Sequence, residues 1–340
     1  MEIKRLLFLF IIAFQCNAQV SDFNHIDFNK ADRIALECKN ENLNNLPNLA
    51  FKLTSELDTD VEKFRAIYIW VCSNISNDYK LFTKNNRKRN KFKDDSLQLL
   101  KWNNLVNKTI YKSLLKDKKT ICTGYTYLVK ELSLLANLNC EVIQGFGRTS
   151  STDIENFTSP NHSWNAVKLN NKWYLCDPTW ASGLIDFESY KFKFNYNNGY
   201  FLTEPKLFAK NHYPLDEKWL LLDDVLSFQD FLEEPIMYGN AYTKLVEHHS
   251  PKKFKNTLHP KESVRFKYQL QEPINTNEIR LQVDNGFSDK KVKPTAVAMD
   301  NNTLTFEHKF TSTGFYDVHF FIKNQIISTY TFKVKRKKTL

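Results

Sequence analysis

Glycine is scarce in this chain, with 8 in 340 residues. That scarcity argues against repeated glycine-rich phosphate loops. No phosphate-loop lysine motif occurs, and Gly145-Phe146-Gly147 falls short of a dinucleotide fingerprint. Cysteine is scarce too. Six are too few for a disulfide scaffold of this length, and their spacing matches no zinc site. No acidic loop has the spacing of a calcium site. His248, His249 and His259 read as exposed loop histidines rather than metal ligands. No cofactor or metal is expected. No later stretch is apolar for long enough to span a membrane, and no internal repeat is visible. What remains is 42% hydrophobic and 25% charged, which excludes a disordered or fibrous chain. The length favours two domains. The formal charge of +10 is spread along the chain.

Lys4 and Arg5 precede an apolar run, Leu6–Phe14, and then Gln15-Cys16-Asn17-Ala18. This is the plan of a secretory signal peptide over residues 1–18, cleaved near Ala18. The run is well short of the roughly 20 residues a membrane-spanning helix needs. Lipid attachment at Cys16 is the lesser alternative, because Ala13-Phe14-Gln15 lacks a small residue next to the cysteine. The mature chain is expected to be exported, periplasmic or secreted. Cleavage leaves Cys38, Cys72, Cys122, Cys140 and Cys176. An odd number in an oxidising compartment leaves at least one thiol over, and Cys122 is the candidate.

Residues 19–54 read as a polar, Asn-rich lead-in segment. Over 56–77, Phe64, Ile67, Tyr68, Val71 and Ile75 recur at helical spacing. The basic run at 84–93 reads as a solvated loop rather than a nucleic-acid contact. Residues 94–116 read as helical with interruptions. A clear helix covers 122–136. Strands are expected over 140–146, 164–169 and 173–177, with Asn170-Asn171 as a hairpin turn. These elements give a mixed α/β domain over 55–235 and a connector over 236–261. From 262 to 340, alternating apolar residues in short strands give an immunoglobulin-like β-sandwich.

Two constellations carry chemistry. Lys118-Lys119-Thr120-Ile121-Cys122 places a cysteine where a loop enters a helix. Unpaired backbone N–H groups, the helix dipole and the two lysines all favour thiolate there. A buried structural thiol or a disulfide partner fits the same position. The second constellation is the hairpin. If Asn170-Asn171 closes it, Leu169 pairs with Lys172 and Trp164 with Asp177. His162 then shares a face with Asp177 as its diagonal neighbour, at a Cα separation of about 7–8 Å. An edge histidine and a turn-forming aspartate before Pro178 would account for the same residues. A cysteine at a helix start with an oriented His–Asp pair is nevertheless the set for thiol acyl chemistry.

The motifs Cys122-Thr-Gly-Tyr, Gln144-Gly145, His162-Ser-Trp-Asn and Trp173-Tyr-Leu-Cys-Asp177-Pro-Thr-Trp180 together resemble the transglutaminase-like superfamily, within the papain-like group of folds. Lys63–Trp70, running on to Asp78-Tyr79, resembles the helix before the catalytic cysteine. Tyr200–Pro205, His212-Tyr-Pro214 and Trp219 resemble kyphoscoliosis-peptidase-like members. The resemblance covers roughly residues 55–225. It implies an α+β fold, a papain-like catalytic core followed by a sandwich. It also implies Cys122 as nucleophile, His162 as general base and Asp177 as orienting carboxylate. The second oxyanion donor lies upstream of the cysteine in the family. Tyr79 is the candidate here, with Trp102 as a weaker one. Trp164 and Trp180 flank the triad and are expected to line the cleft or shield the ion pair. The expected function is an exported thiol enzyme acting on a protein or peptide substrate, hydrolysing rather than cross-linking, with no nucleic-acid partner and with cell-envelope association. The alternative is a non-catalytic binding or scaffold module of the envelope.

Overall fold

The computed structural model describes residues 20–336 apart from residue 187. The expected signal segment, with Cys16 and Ala18, lies outside the described residues. The chain folds around one helix. Thr59 starts it with a reciprocal cap: its hydroxyl accepts from Glu62 N–H at 3.3 Å while the Glu62 carboxylate accepts from Thr59 N–H at 3.1 Å. The helix, α3 (Asp60–Asn74), follows α1 (Asn29–Glu37) and α2 (Leu46–Thr54). Phe64 to Cys72 are buried all round its circumference, as befits a helix in the middle of a core. Its one charged member there, Arg65, is satisfied by Asp32 of α1 at 2.7 Å and lies over the Phe201 ring.

Residues 29–54 are therefore not a lead-in. Ala31 and Ile34 of α1 and Leu49 and Leu53 of α2 are buried in the same core as α3. The polar composition belongs to their outer faces. The basic run is likewise helical. Asp78 caps α4 (Tyr79–Lys91), accepting from Leu81 N–H at 3.0 Å. None of its residues breaks a helix, and Lys84 and Lys88 lie over the Trp102 ring of α5 (Ser96–Asp117). The helix α5 runs without interruption until Lys118 takes a left-handed conformation at φ 46°.

Short parallel strands β1 (Ser76–Asn77) and β2 (Lys119–Thr120) then tie the start of α4 to the start of α6 (Cys122–Leu135). A four-stranded antiparallel sheet packs against α6. It is built from β3 (Asn139–Gly147), β4 (His162–Leu169) and β5 (Lys172–Cys176), closed after α7 (Pro178–Ser182) and the hairpin β6 (Gly183–Asp186) and β7 (Lys191–Phe194) by β8 (His212–Pro214). Its order is β5-β4-β3-β8.

Beyond this sheet lie β9 (Ile236–Met237), β10 (Leu245–Ser250), β11 (Lys255–Leu258), β12 (Ser263–Leu270), β13 (Ile279–Asp284), β14 (Asp289–Val292), β15 (Thr295–Asp300), β16 (Thr303–Lys309), β17 (Gly314–Ile322) and β18 (Gln325–Val334). They form two facing sheets, β10-β12-β16-β15 and β11-β18-β17-β13-β14, with β9 added beside β18. Phe266, Tyr268 and Phe306 of one sheet meet Phe320 and Tyr330 of the other, with ring centroids 4.7–5.4 Å apart. Aromatic pairs of this kind contribute about 0.5–1.5 kcal/mol each beyond area burial. Residues 236–261, expected as a connector, thus supply three strands of the sandwich. His248, expected in an exposed loop, is buried on β10 and hydrogen-bonds the Tyr330 hydroxyl at 2.9 Å.

Arg148, directly after β3, ties that strand to the segment leading into β9 and lies over the Phe254 ring of the carboxyl-terminal half. Its guanidinium donates to the carbonyls of Leu232 at 2.9 Å, Lys210 at 3.2 Å and Glu234. It is fully buried, and burial lowers its pKa to about 10. No described helix is long and apolar enough to cross a membrane.

Candidate active site

The hairpin register follows the sequence expectation. Asn170 and Asn171 turn with positive φ, 46° and 63°, as the tightest hairpin turn requires. Leu169 pairs with Lys172, and the ladder runs to Asn165 opposite Cys176. One step further, β5 ends and Asp177 becomes the N-cap of α7. Its Oδ1 accepts from Thr179 N–H at 2.8 Å and Trp180 N–H at 3.1 Å. Its Oδ2 lies 2.7 Å from His162 Nε2. The diagonal placement therefore closes into a hydrogen bond.

Cys122 opens α6. Ile121, its N-cap, offers no side-chain acceptor, so the first N–H groups of the helix remain unpaired by a cap. The carbonyl of Thr120 accepts from Asp78 N–H at 2.7 Å, which fixes the loop before the cysteine. Gly124 is required by close approach: a Cβ there would lie 2.0 Å from Thr120 Oγ1. The Cys122 thiol and the His162 imidazole line the same cleft and are close enough to act on each other electrostatically. With His162 Nε2 committed to Asp177, Nδ1 is the nitrogen left for sulfur.

The electrostatics follow from these contacts. Burial pushes the Cys122 thiol up, but His162, with help from Ser163, outweighs it and holds the thiol below its ordinary value. Burial pulls His162 down, yet the Asp177 carboxylate and Cys122 raise it to about 10. Burial raises Asp177, and His162 and His212 bring it well below the usual carboxylate range. The combination favours a thiolate–imidazolium pair.

All five described cysteines are free, so the arithmetic of one leftover thiol does not apply. What distinguishes Cys122 is its environment. Burial raises Cys38, Cys72 and Cys176, and raises Cys140 to about 12.

His212 was not singled out as a site residue. It sits on β8 opposite Gly147, fully buried, with Nε2 3.1 Å from Asp177 Oδ2 and Nδ1 3.2 Å from the Phe208 carbonyl. Its ring stacks on Phe208 at 3.7 Å. Burial lowers its pKa despite Asp177. The neutral ring has one N–H, and the carboxylate is the stronger acceptor for it. Gly147 makes the crowding feasible: a Cβ there would approach His162 Cβ to 2.8 Å. His162, Asp177 and His212 also lie close enough together to hold a metal ion. However, both Nε2 atoms address the same carboxylate oxygen, which makes the trio a hydrogen-bonded chain rather than three ligands around a common centre.

Cys122 and His162 sit where two arms of a cleft meet. One arm is lined by Tyr79, Phe82, Trp180, Ile185 and Phe192. The other is amide-rich, with Asn85, Asn103, Asn107 and Gln144. Trp180 stacks on His162 with centroids 4.8 Å apart, so it both lines the cleft and covers the imidazole. Trp164 does not line it. This residue is 1% exposed, packed edge-on to Phe208 and His212 behind the histidines. Tyr79 faces the aromatic arm and stacks on Phe82 and Tyr190. Trp102 is unsuited to be an oxyanion donor, because its indole N–H is bonded to Asn85 Oδ1 at 2.9 Å.

Residues 47–178 match the family model of the transglutaminase-like superfamily core. Kyphoscoliosis peptidase of Homo sapiens is 33% identical over 201 residues, which is 58% of this chain and 28% of that protein. Hillarin of Drosophila melanogaster is 26% identical over 226 residues, 62% of this chain and 25% of that protein. The LIM and transglutaminase domain protein ltd-1 of Caenorhabditis elegans is 29% identical over 225 residues, 62% of this chain and 28% of that protein. The chain thus spans about a quarter of the length of these curated relatives. The domain that carries Cys122, His162 and Asp177 is thus transglutaminase-like and is similar in sequence to kyphoscoliosis peptidase.

Proposed function

We propose that the protein is an exported thiol enzyme that forms an acyl-thioester on peptide or protein amides and hydrolyses it. One observation carries this reading. Cys122, at the start of α6, shares the cleft with His162, whose imidazole is held at 2.7 Å by the buried Asp177 carboxylate.

Cys122 Sγ, as thiolate, attacks the amide carbonyl carbon. The developing oxyanion is met by the Cys122 N–H at the helix start, with Tyr79 as the second donor. Imidazolium His162 gives its proton to the leaving nitrogen as the C–N bond breaks, leaving a thioester and neutral His162. Water then attacks the thioester, His162 takes its proton, and the C–S bond breaks to return the thiolate. Asp177 fixes the ring and stabilises the imidazolium in both halves. An amine in place of water would give transfer instead.

The test is a peptide-library digest run beside amine-probe labelling, with Cys122→Ala as control. Cleavage lost in Cys122→Ala is the expected result. Amine incorporation without cleavage would replace hydrolysis by transfer. Neither product, together with a Cys122 no more reactive than the other cysteines, would make the domain a binding module.

A further inference from the structure

Among the described residues, one ionisable side chain outside the Cys122–His162 pair carries charge at neutral pH and lines the two arms of the cleft: Arg89, on α4, in the amide-rich arm. It is held from behind. Its Nη1 lies 3.3 Å from Asn103 Oδ1 and its Nη2 3.4 Å from the Pro160 carbonyl. Both bonds are long beside the usual 2.9–3.0 Å or so of N–H···O contacts. A guanidinium offers five donors in a fixed fork, and among the described residues two of them meet an acceptor. Among the described residues it forms no ion pair. Asp153 borders the neighbouring recess that Arg89 also lines, but its carboxylate accepts from Asn156 at 2.7 Å. Among the described residues, no aspartate or glutamate lines either arm. The other arm presents an apolar wall of Phe82, Trp180, Ile185 and Phe192, with Thr149, Ser151 and Thr152 at its edge.

We propose that Arg89 is a specificity-determining residue. It takes a substrate carboxylate in the amide-rich arm, while the Trp180 arm takes an apolar side chain. The carboxylate is either an acidic side chain or a chain terminus, since both present the same planar pair of oxygens to the fork. This rests on the reading of Cys122 as a reactive thiolate. A cationic substrate would meet Arg89 with no carboxylate lining the arms to offset it.

The test alkylates Cys122 with three reagents of matched shape. N-iodoacetyl-aspartic acid α-amide carries only a side-chain carboxylate. N-iodoacetyl-asparagine carries only a terminal one. N-iodoacetyl-asparaginamide is neutral. One or both anionic reagents should react with the wild-type protein about fivefold or more faster than the neutral one, and the faster one identifies the source of the carboxylate. Arg89→Gln should bring the ratio to about one, and Arg89→Lys should keep part of it. Equal rates in the wild type, or a preference that survives Arg89→Gln, overturns the assignment. Should Arg89→Gln disturb the α4–α5 packing, the wild-type ratio is measured against salt instead. A preference that does not shrink as salt rises then overturns the assignment. Failure of the neutral reagent to label Cys122 ahead of Cys38, Cys72, Cys140 and Cys176 would sink the thiol-enzyme reading itself, and this assignment with it.

Discussion

His212 Nε2 lies 3.1 Å from Asp177 Oδ2, the same oxygen that His162 Nε2 reaches at 2.7 Å. With Thr179 N–H and Trp180 N–H on Oδ1, the carboxylate accepts from four directions and has no freedom to rotate. The aim of His162 at Cys122 therefore depends on a residue 35 positions downstream of Asp177.

Replacing His212 by Phe keeps a stacked ring and removes the donor. Hydrogen bonds to charged groups are worth about 1.5–3 kcal/mol, so turnover should fall by about 10- to 100-fold. The pH midpoint for Cys122 alkylation should rise, because a loosened Asp177 supports the imidazolium less. His212→Gln, which can still donate, should recover part of both. An unchanged alkylation midpoint in His212→Phe would remove His212 from this role.

The pH dependence has a defined sign. His162 is raised to about 10, so its stabilising pairing is complete below its unfolded value of about 6.5 and fades as pH climbs toward 10. Asp177 is depressed, so its contribution is complete above about 3.9 and is lost as pH falls further. The pair thus stabilises most between about pH 4 and 6.5. Melting temperatures followed from pH 3 to 10 in the wild type and in Asp177→Asn should diverge most inside that window. Parallel curves would contradict the buried ion pair.

Gly124→Ala puts a methyl group 2.0 Å from Thr120 Oγ1. Thr120 is fully buried on β2 and cannot swing aside, so α6 has to shift at its first turn. The expected cost is about 1–3 kcal/mol by denaturant titration, with slower alkylation of Cys122. A neutral outcome on both measures would show that the loop before Cys122 yields easily.

Trp180 stacks face-on against His162. An indole face over an imidazolium contributes about 0.5–2 kcal/mol. Trp180→Ala should lower the alkaline limit of the activity profile by about 0.4–1.5 pH units, and Trp180→Phe should lower it less. Equal profiles in all three proteins would leave Trp180 as a cleft wall only.

The hairpin was legible because a two-residue Asn-Asn turn fixes parity, and parity fixes the face His162 shares with Asp177. The stripe of α6 was legible from its spacing of three and four: Tyr125, Leu128, Val129 and Leu132 are buried together, whereas Leu135, expected on the same face, is exposed in the last turn. The helix α4 was misread because like charge is a statement about solvent, whereas its backbone is set by the Asp78 cap. His212 was missed because it reaches the site across β3, through sheet order rather than local spacing. Trp164 shares its strand face with His162. The strand face alone could not tell a cleft wall from the layer behind, and Trp180 took the cleft position because α7 begins at Pro178.

The Arg148 clamp has a consequence for how the protein can be taken apart. The strand that sets Gly147 against His162 leads straight into a side chain holding the carbonyls of residues 210, 232 and 234, and β9 just beyond is paired with β18. Excising the carboxyl-terminal sheets would strip β9 of that neighbour and unseat the anchor next to the histidines. The amino-terminal half is therefore not a detachable module: a single heat-absorption peak should cover both halves, and a shortened chain should lose its thiol chemistry along with its fold.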